Sequence, residues 1–176
     1  MSNVSEELLD AAETRIRQGG FHAVSFRDLA GDLGIKSASV HYHFPKKEDL
    51  GIAVVERYAK AFFAGYAERT QAGEAPLAVF VDLYRQSLRM NETACLCGVM
   101  GAEALGLPEA VQESVRGFLR DNIRTLAQIL ADRNQADPEI KATQDVATLQ
   151  GAMMLAVNLK DAAVFEAVAQ RVERGR

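Results

Sequence analysis

Three short clusters carry side chains that could do chemistry. His41-Tyr42-His43 offers two imidazoles around a phenol. Lys46 and Lys47 follow directly behind Pro45. Cys95 and Cys97 stand one residue apart, and they are the only two cysteines in the chain. Metal binding, nucleophilic catalysis and phosphate contact are the chemistries these types permit. On a helix of 3.6 residues per turn, side chains two apart diverge by roughly 200°, so His41 and His43 do not readily hold one ion. His22 is the third and last histidine. The cysteine spacing is C-x-C, not the C-x-x-C of a dithiol redox pair, and no second pair exists to complete a zinc site. No nucleophile elbow, phosphate loop or H-E-x-x-H run occurs. The residues therefore suggest no enzyme, no cofactor and no metal, and leave phosphate contact as the chemistry to pursue.

The elements that must position these clusters read as helices throughout. The chain has 176 residues, with 48% hydrophobic and 25% charged, ordinary values for a globular protein. A formal net charge of −4 excludes a wholly basic nucleic-acid coat but not a local basic face. The start is polar and acidic, unlike a secretory signal. No apolar run approaches the roughly 20 residues that span a bilayer. The expectation is a cytoplasmic protein with no membrane contact. In the first helix Leu8, Leu9, Ala12 and Ile16 share a face, and Gly19-Gly20 is expected to close it as a left-handed stop. Ser25 stands three before Asp28, a capping pattern for a short helix through Leu33. Gly34 ends it, and Ser37 begins another through His43. Pro45, Pro76, Pro108 and Pro138 each precede a helix-period run, where the missing N–H costs nothing. About nine helices result, and an all-α fold.

Residues 5–43 thus hold three short helices, the second and third joined by a tight turn at Gly34-Ile35-Lys36. This is helix-turn-helix spacing, in which the second helix of the pair enters the major groove of DNA. Leu29, Ala30, Leu33, Ile35, Val40 and Phe44 are placed to pack. Lys36, Ser37, Ala38, Ser39, His41, Tyr42 and His43 are left to face outward. The stretch "LLDAAETRIRQGGFHAVSFRDLAGDLGIKSASVHYHFPKKEDL", residues 8–50, resembles the N-terminal domain of the TetR/AcrR family of transcriptional repressors. It carries the Gly-Phe after helix one, the Ser opening helix two, the L-A…L-G-I core and the Y-x-F-P-x-K-E-x-L run. The resemblance implies that Ser25 and Arg27 touch phosphate or base edges. It implies that Lys36, Ser37, Ala38, Ser39, His41, Tyr42 and His43 belong to the recognition helix. Lys46 matches a phosphate-binding lysine at the start of helix four, with Lys47 beside it. The sequence departs from the pattern at Ala38, where Gly is commoner, and at His41, where Tyr is commoner.

The resemblance implies a two-part chain. Residues 1–50 form a helix-turn-helix DNA-binding domain. Residues 51–176 form a helical bundle for effector binding and dimerisation. The expected partners are a double-stranded DNA operator, a small-molecule effector of unknown identity and a second copy of the chain. The last two long helices, roughly 139–158 and 162–174, are the expected dimer face. Candidate effector contacts are Met90, Cys95, Leu96, Met100, Glu103, Phe118, Met153 and Asn158. The stretch "CLCGVMGAE" also resembles a cysteine-bearing region in family members that sense reactive electrophiles, with Cys95 at the matching place, so thiol modification at Cys95 is a second route of release. The rival expectation is a helical ligand-binding protein that has lost operator binding.

Overall fold

The computed structural model describes residues 4–91 and 93–175. Nine α-helices follow one another, with no strand among the described residues: α1 (Val4–Gly19), α2 (Phe26–Leu33), α3 (Ser37–His43), α4 (Lys47–Gln71), α5 (Pro76–Asn91), α6 (Leu96–Ala102), α7 (Glu109–Asp132), α8 (Pro138–Leu159) and α9 (Ala162–Glu173). Short 3-10 turns lie at Phe21–Ala23 and Ala104–Gly106. The all-α architecture expected from the residue periodicity is the one observed. No described helix is long and apolar enough to cross a membrane.

The chain forms two compact units. One comprises Met1–Ala59 with Leu96–Arg116, the other Lys60–Cys95 with Gly117–Arg176. The first unit takes in α6 and the start of α7.

In the first unit the α1 stripe Leu8, Leu9, Ala12 and Ile16 is buried. So are Leu29 and Ala30 of α2, Val40 of α3 and Phe44 beyond it. Leu33 and Ile35 are half-buried. Ion pairs tie the helices at the surface. Arg15 of α1 grips Asp32 of α2 with two nitrogens, at 2.5 and 2.8 Å. This guanidinium holds the Asp32 carboxyl below its usual range, against a smaller opposing effect of burial. Arg57 of α4 donates to Asp10 at 2.7 Å and to Glu13 at 3.1 Å, both on α1.

In the second unit four aromatic rings surround Phe62. Phe63, Phe80, Tyr84 and Phe118 meet it edge to face, with centroids 5.3–5.8 Å away. Such geometry sets the positive ring edge against the negative face of its neighbour. Arg85 of α5 joins α9 by gripping Glu166 and Glu173.

Two local expectations change. Gly20 has φ 82° and ψ 171°, an extended positive-φ conformation and not the left-handed helical one expected. Its N–H still bonds to Ile16 O at 2.8 Å, and the chain then turns straight into the 3-10 segment. The helices expected to open at Pro45 and Pro108 begin later, at Lys47 and Glu109. The carbonyls just ahead of each helix start its ladder: Lys46 O accepts from Asp49 N, and Pro108 O from Gln112 N. Pro76 and Pro138 do occupy first helical positions.

Candidate nucleic-acid interface

Local chemistry fixes the two short helices. Ser25 lies in extended backbone, and its Oγ accepts from Asp28 N at 3.1 Å while its hydroxyl donates to Asp28 Oδ2 at 2.6 Å. This satisfies an N–H that the first turn of α2 would leave open. Gly34 closes α2 at φ 66° and ψ 27°, the left-handed region where a Cβ is unfavourable. Ile35 N then reaches back to Ala30 O at 2.9 Å. The pair is the six-to-one bond of a glycine C-cap, and it makes the tight turn into α3.

Val40 and Phe44 hold α3 from within, and its other side chains form the outer face. Lys36, Ser37, Ala38, His41 and Tyr42 are exposed, and Ser39 and His43 half-buried. Tyr42 is 84% exposed, an unusual position for a large ring. His41 packs edge-on to Phe26 of α2, with centroids 4.7 Å apart. Tyr42 meets His43 at 5.3 Å. The small side chains Ser37, Ala38 and Ser39 leave the first turn of α3 unobstructed.

The cations divide into two sets. Arg27, Lys36 and Lys46 are exposed, and none forms an ion pair among the described residues. Arg15 and Arg57 are held by carboxylates. Lys46 N–H donates to Asp49 Oδ2 at 2.9 Å, capping α4 and leaving the Lys46 ammonium free. Lys47 turns the other way. Its Nζ sits 4.6 Å above the Phe21 ring and donates to His22 O at 3.3 Å. Burial lowers its pKa, and the nearby Glu103 carboxylate opposes that.

The sequence alone did not single out Phe26 or Asp49 for this site. Asp49 stands three after Lys46, the same interval as Ser25 to Asp28, and that spacing is the signal that could have found it. Among the described residues no three His, Cys, Asp or Glu side chains gather to hold a metal.

The candidate effector residues fall in both units. Leu96 and Met100 are fully buried in the first, and Glu103 lies there as well, accepting from Phe21 N. Cys95, Phe118 and Met153 are buried in the second, where Asn158 is exposed and donates to Met154 O of its own helix. The side chain of Met90 lies outside the described residues. Cys97 is buried like Cys95. Two open grooves lie in the second unit. One, of about 630 Å³, is lined by residues including Tyr66, Leu77 and Ile129. The other, of about 1010 Å³, is lined by residues including Arg85, Leu88 and Phe165. None of the other seven candidates lines either groove.

Residues 8–54 match the model of a family described as bacterial regulatory proteins, tetR family. The HTH-type transcriptional repressor KstR2 of Mycolicibacterium smegmatis is 30% identical over 87 residues, covering 49% of this chain and 42% of the relative. The HTH-type transcriptional repressor NemR of Escherichia coli K12 is 27% identical over 131 residues, covering 71% of this chain and 66% of the relative. The chain thus spans less than two thirds of the length of these curated relatives. A crystal structure of a TetR transcriptional regulator from Legionella pneumophila superimposes with a TM-score of 0.92 at 27% identity, covering 99% of this chain and 98% of that one. A helix-turn-helix with an open, cation-flanked outer face and a whole-chain likeness to a solved regulator lead to one conclusion: residues 8–54 carry the helix-turn-helix of the tetR family of bacterial regulatory proteins, and the chain as a whole has the fold of a TetR regulator.

Proposed function

We propose that this protein is a sequence-specific DNA-binding repressor that acts as a homodimer on a near-palindromic operator. The observation that carries the reading is the outer face of α3. It is exposed, flanked by the unpaired cations Arg27, Lys36 and Lys46, and backed by a helix held rigidly through Val40. Phosphate contact fixes register, and base edges read from the major groove supply specificity. In this reading Lys46 and Arg27 meet phosphates, whereas Ser39, His41 and Tyr42 face the groove. Lys47, turned onto Phe21, contributes by holding the corner behind α3. Three unpaired cations, doubled by a two-fold dimer, suffice on a chain whose net charge is negative.

The effector half of the reading draws on the second unit. Grooves of about 630 and 1010 Å³ are of the size that takes small molecules. An effector that binds one conformer better shifts the population toward it. Release follows if that conformer spaces the two heads of the dimer so that they no longer fit successive major grooves. The helix α4 contributes residues to both units and is the natural lever. Cys95 is 1% exposed, so modification of its thiol needs a prior opening; a non-covalent effector is the simpler route of release.

Selection of bound duplexes from a random pool tests the reading. The expected result is enrichment of a near-palindrome, reproduced in the presence of a thiol-reactive electrophile. Loss of enrichment on treatment, absent in a Cys95→Ser protein, would transfer release to the thiol. No enriched sequence under any condition would contradict operator binding.

A further inference from the structure

The corner between α1 and α2 is fastened to the segment that follows α6. Phe21 N–H donates to Glu103 Oε2 at 2.8 Å, across 82 positions of sequence. His22 Nε2 lies 3.1 Å from Gly106 O. A carbonyl only accepts, so that nitrogen carries the proton. The Phe21 ring is closed in from the α4 side. Lys47 Nζ sits above it, and a Cβ at Gly51 would come within 2.6 Å of its edge. Gly20 is required twice over. Its φ of 82° disfavours any Cβ, and a Cβ there would stand 1.8 Å from Glu103 Oε1.

Glu103 is itself held in place. Its N–H bonds to Met100 O at 3.1 Å and its carbonyl accepts from Gly106 N at 2.8 Å, so its backbone is part of the 3-10 turn Ala104–Gly106. A carboxylate that accepts from a backbone N–H makes a charge-assisted bond, roughly twice as strong as a neutral one. The chain leaves this corner for α2 after only Val24 and Ser25, and α2 passes directly into α3 through the Gly34 turn. The set of the corner therefore sets the direction of both helices.

We propose that Glu103 is a positioning residue for operator binding. Its carboxylate, gripping Phe21 N–H, fixes the angle at which α2 and α3 leave α1. It touches no DNA. The assignment rests on the reading of α3 as the recognition helix.

The test uses the full chain and the duplex enriched from the random pool. Glu103→Ala weakens operator binding about tenfold while selecting the same sequence, because the groove-facing side chains are untouched. Glu103→Gln keeps an acceptor oxygen of the same reach without the charge, and its affinity falls between the two. Gly20→Ala meets the carboxylate in the native chain but not in the Glu103→Ala background. The two losses are therefore non-additive, which independent structural damage would not produce. Amide hydrogen exchange at Phe21 quickens in Glu103→Ala. Native affinity in Glu103→Ala would overturn the proposal. Should that variant fail to fold, Glu103→Met keeps the bulk without an acceptor oxygen, and native affinity there together with unchanged exchange at Phe21 would overturn it equally. If the native chain enriches no duplex, the DNA reading fails. The Phe21 exchange then still decides whether Glu103 holds the corner: faster exchange supports it and unchanged exchange overturns it.

Discussion

Tyr84 and Asn122 form a fully buried polar pair within the aromatic cluster of the second unit. The tyrosine hydroxyl donates to Asn122 Oδ1 at 2.9 Å, and Asn122 Nδ2 donates to Phe118 O at 3.0 Å. The Tyr84 ring also meets Phe62 edge to face at 5.7 Å and lies tilted against Phe80 at 5.6 Å. Tyr84→Phe leaves the Asn122 oxygen without this donor in a dry interior. The expected loss is about 1–3 kcal/mol, read as a lower urea midpoint with an unchanged slope.

Arg85 gives the same unit an acid-sensitive joint. Its hydrogen bond holds the Glu166 carboxyl below the usual range, with burial opposing and Gln170 adding to the effect. A carboxylate with a depressed folded-state pKa stabilises fully above its unfolded value of about 4.3, and that contribution is lost as pH falls through the folded-state value. Urea midpoints should therefore fall with acid below about pH 5. In Arg85→Met the midpoint at neutral pH drops, and the part of the acid slope due to Glu166 flattens. An identical slope in both proteins would show that the pair is not linked to folding.

The helix α8 carries an exposed apolar stripe. Ile140, Met154, Leu155 and Leu159 are 62%, 53%, 47% and 62% exposed, at helical spacing. A stripe of this kind on the last long helix pair is what a two-fold four-helix contact would cover. Leu155→Glu puts a charge in that contact and should shift sedimentation from dimer toward monomer, with operator affinity falling in step. A monomeric native protein would remove the basis for a palindromic operator.

The face of α3 predicts a split between affinity and specificity. Lys46→Ala removes a phosphate contact. It should weaken all duplexes alike and reduce the log–log salt slope by about one per head. Substitution of Ser39 or His41 should instead change which sequences are enriched. Binding titrations at several salt concentrations separate the two. A salt-independent affinity would contradict phosphate contact.

What was legible in the sequence was local. Ser25 with Asp28, Gly34 with Ile35, and the α1 stripe from Leu8 to Ile16 are decided within a few residues, so spacing alone reveals them. The fold class followed from the same periodicity. The Phe21–Glu103 bond was not legible, because 82 positions separate its partners and neither belongs to a repeating pattern. The exclusion of a side chain at Gly20 was hidden for the same reason: the carboxylate that a Cβ there would meet lies far along the chain. Lys47 illustrates a different limit. Two adjacent lysines at a helix start look equivalent, yet one turns to solvent and the other onto an aromatic ring, a choice that depends on Phe21 being buried beneath it. The effector residues were the hardest to read. Methionine and phenylalanine at helical spacing fill cores and line pockets alike, and here Met100, Phe118 and Met153 are all buried.

Hydrogen exchange measures directly where DNA meets the protein. The full chain is compared with and without the enriched palindromic duplex, at a salt concentration that keeps the complex saturated. The predicted result is slower exchange and solvent protection confined to residues 25–47, centred on α3, with α8 and α9 unchanged. Protection that spares α3 while the duplex is bound would contradict the interface proposed.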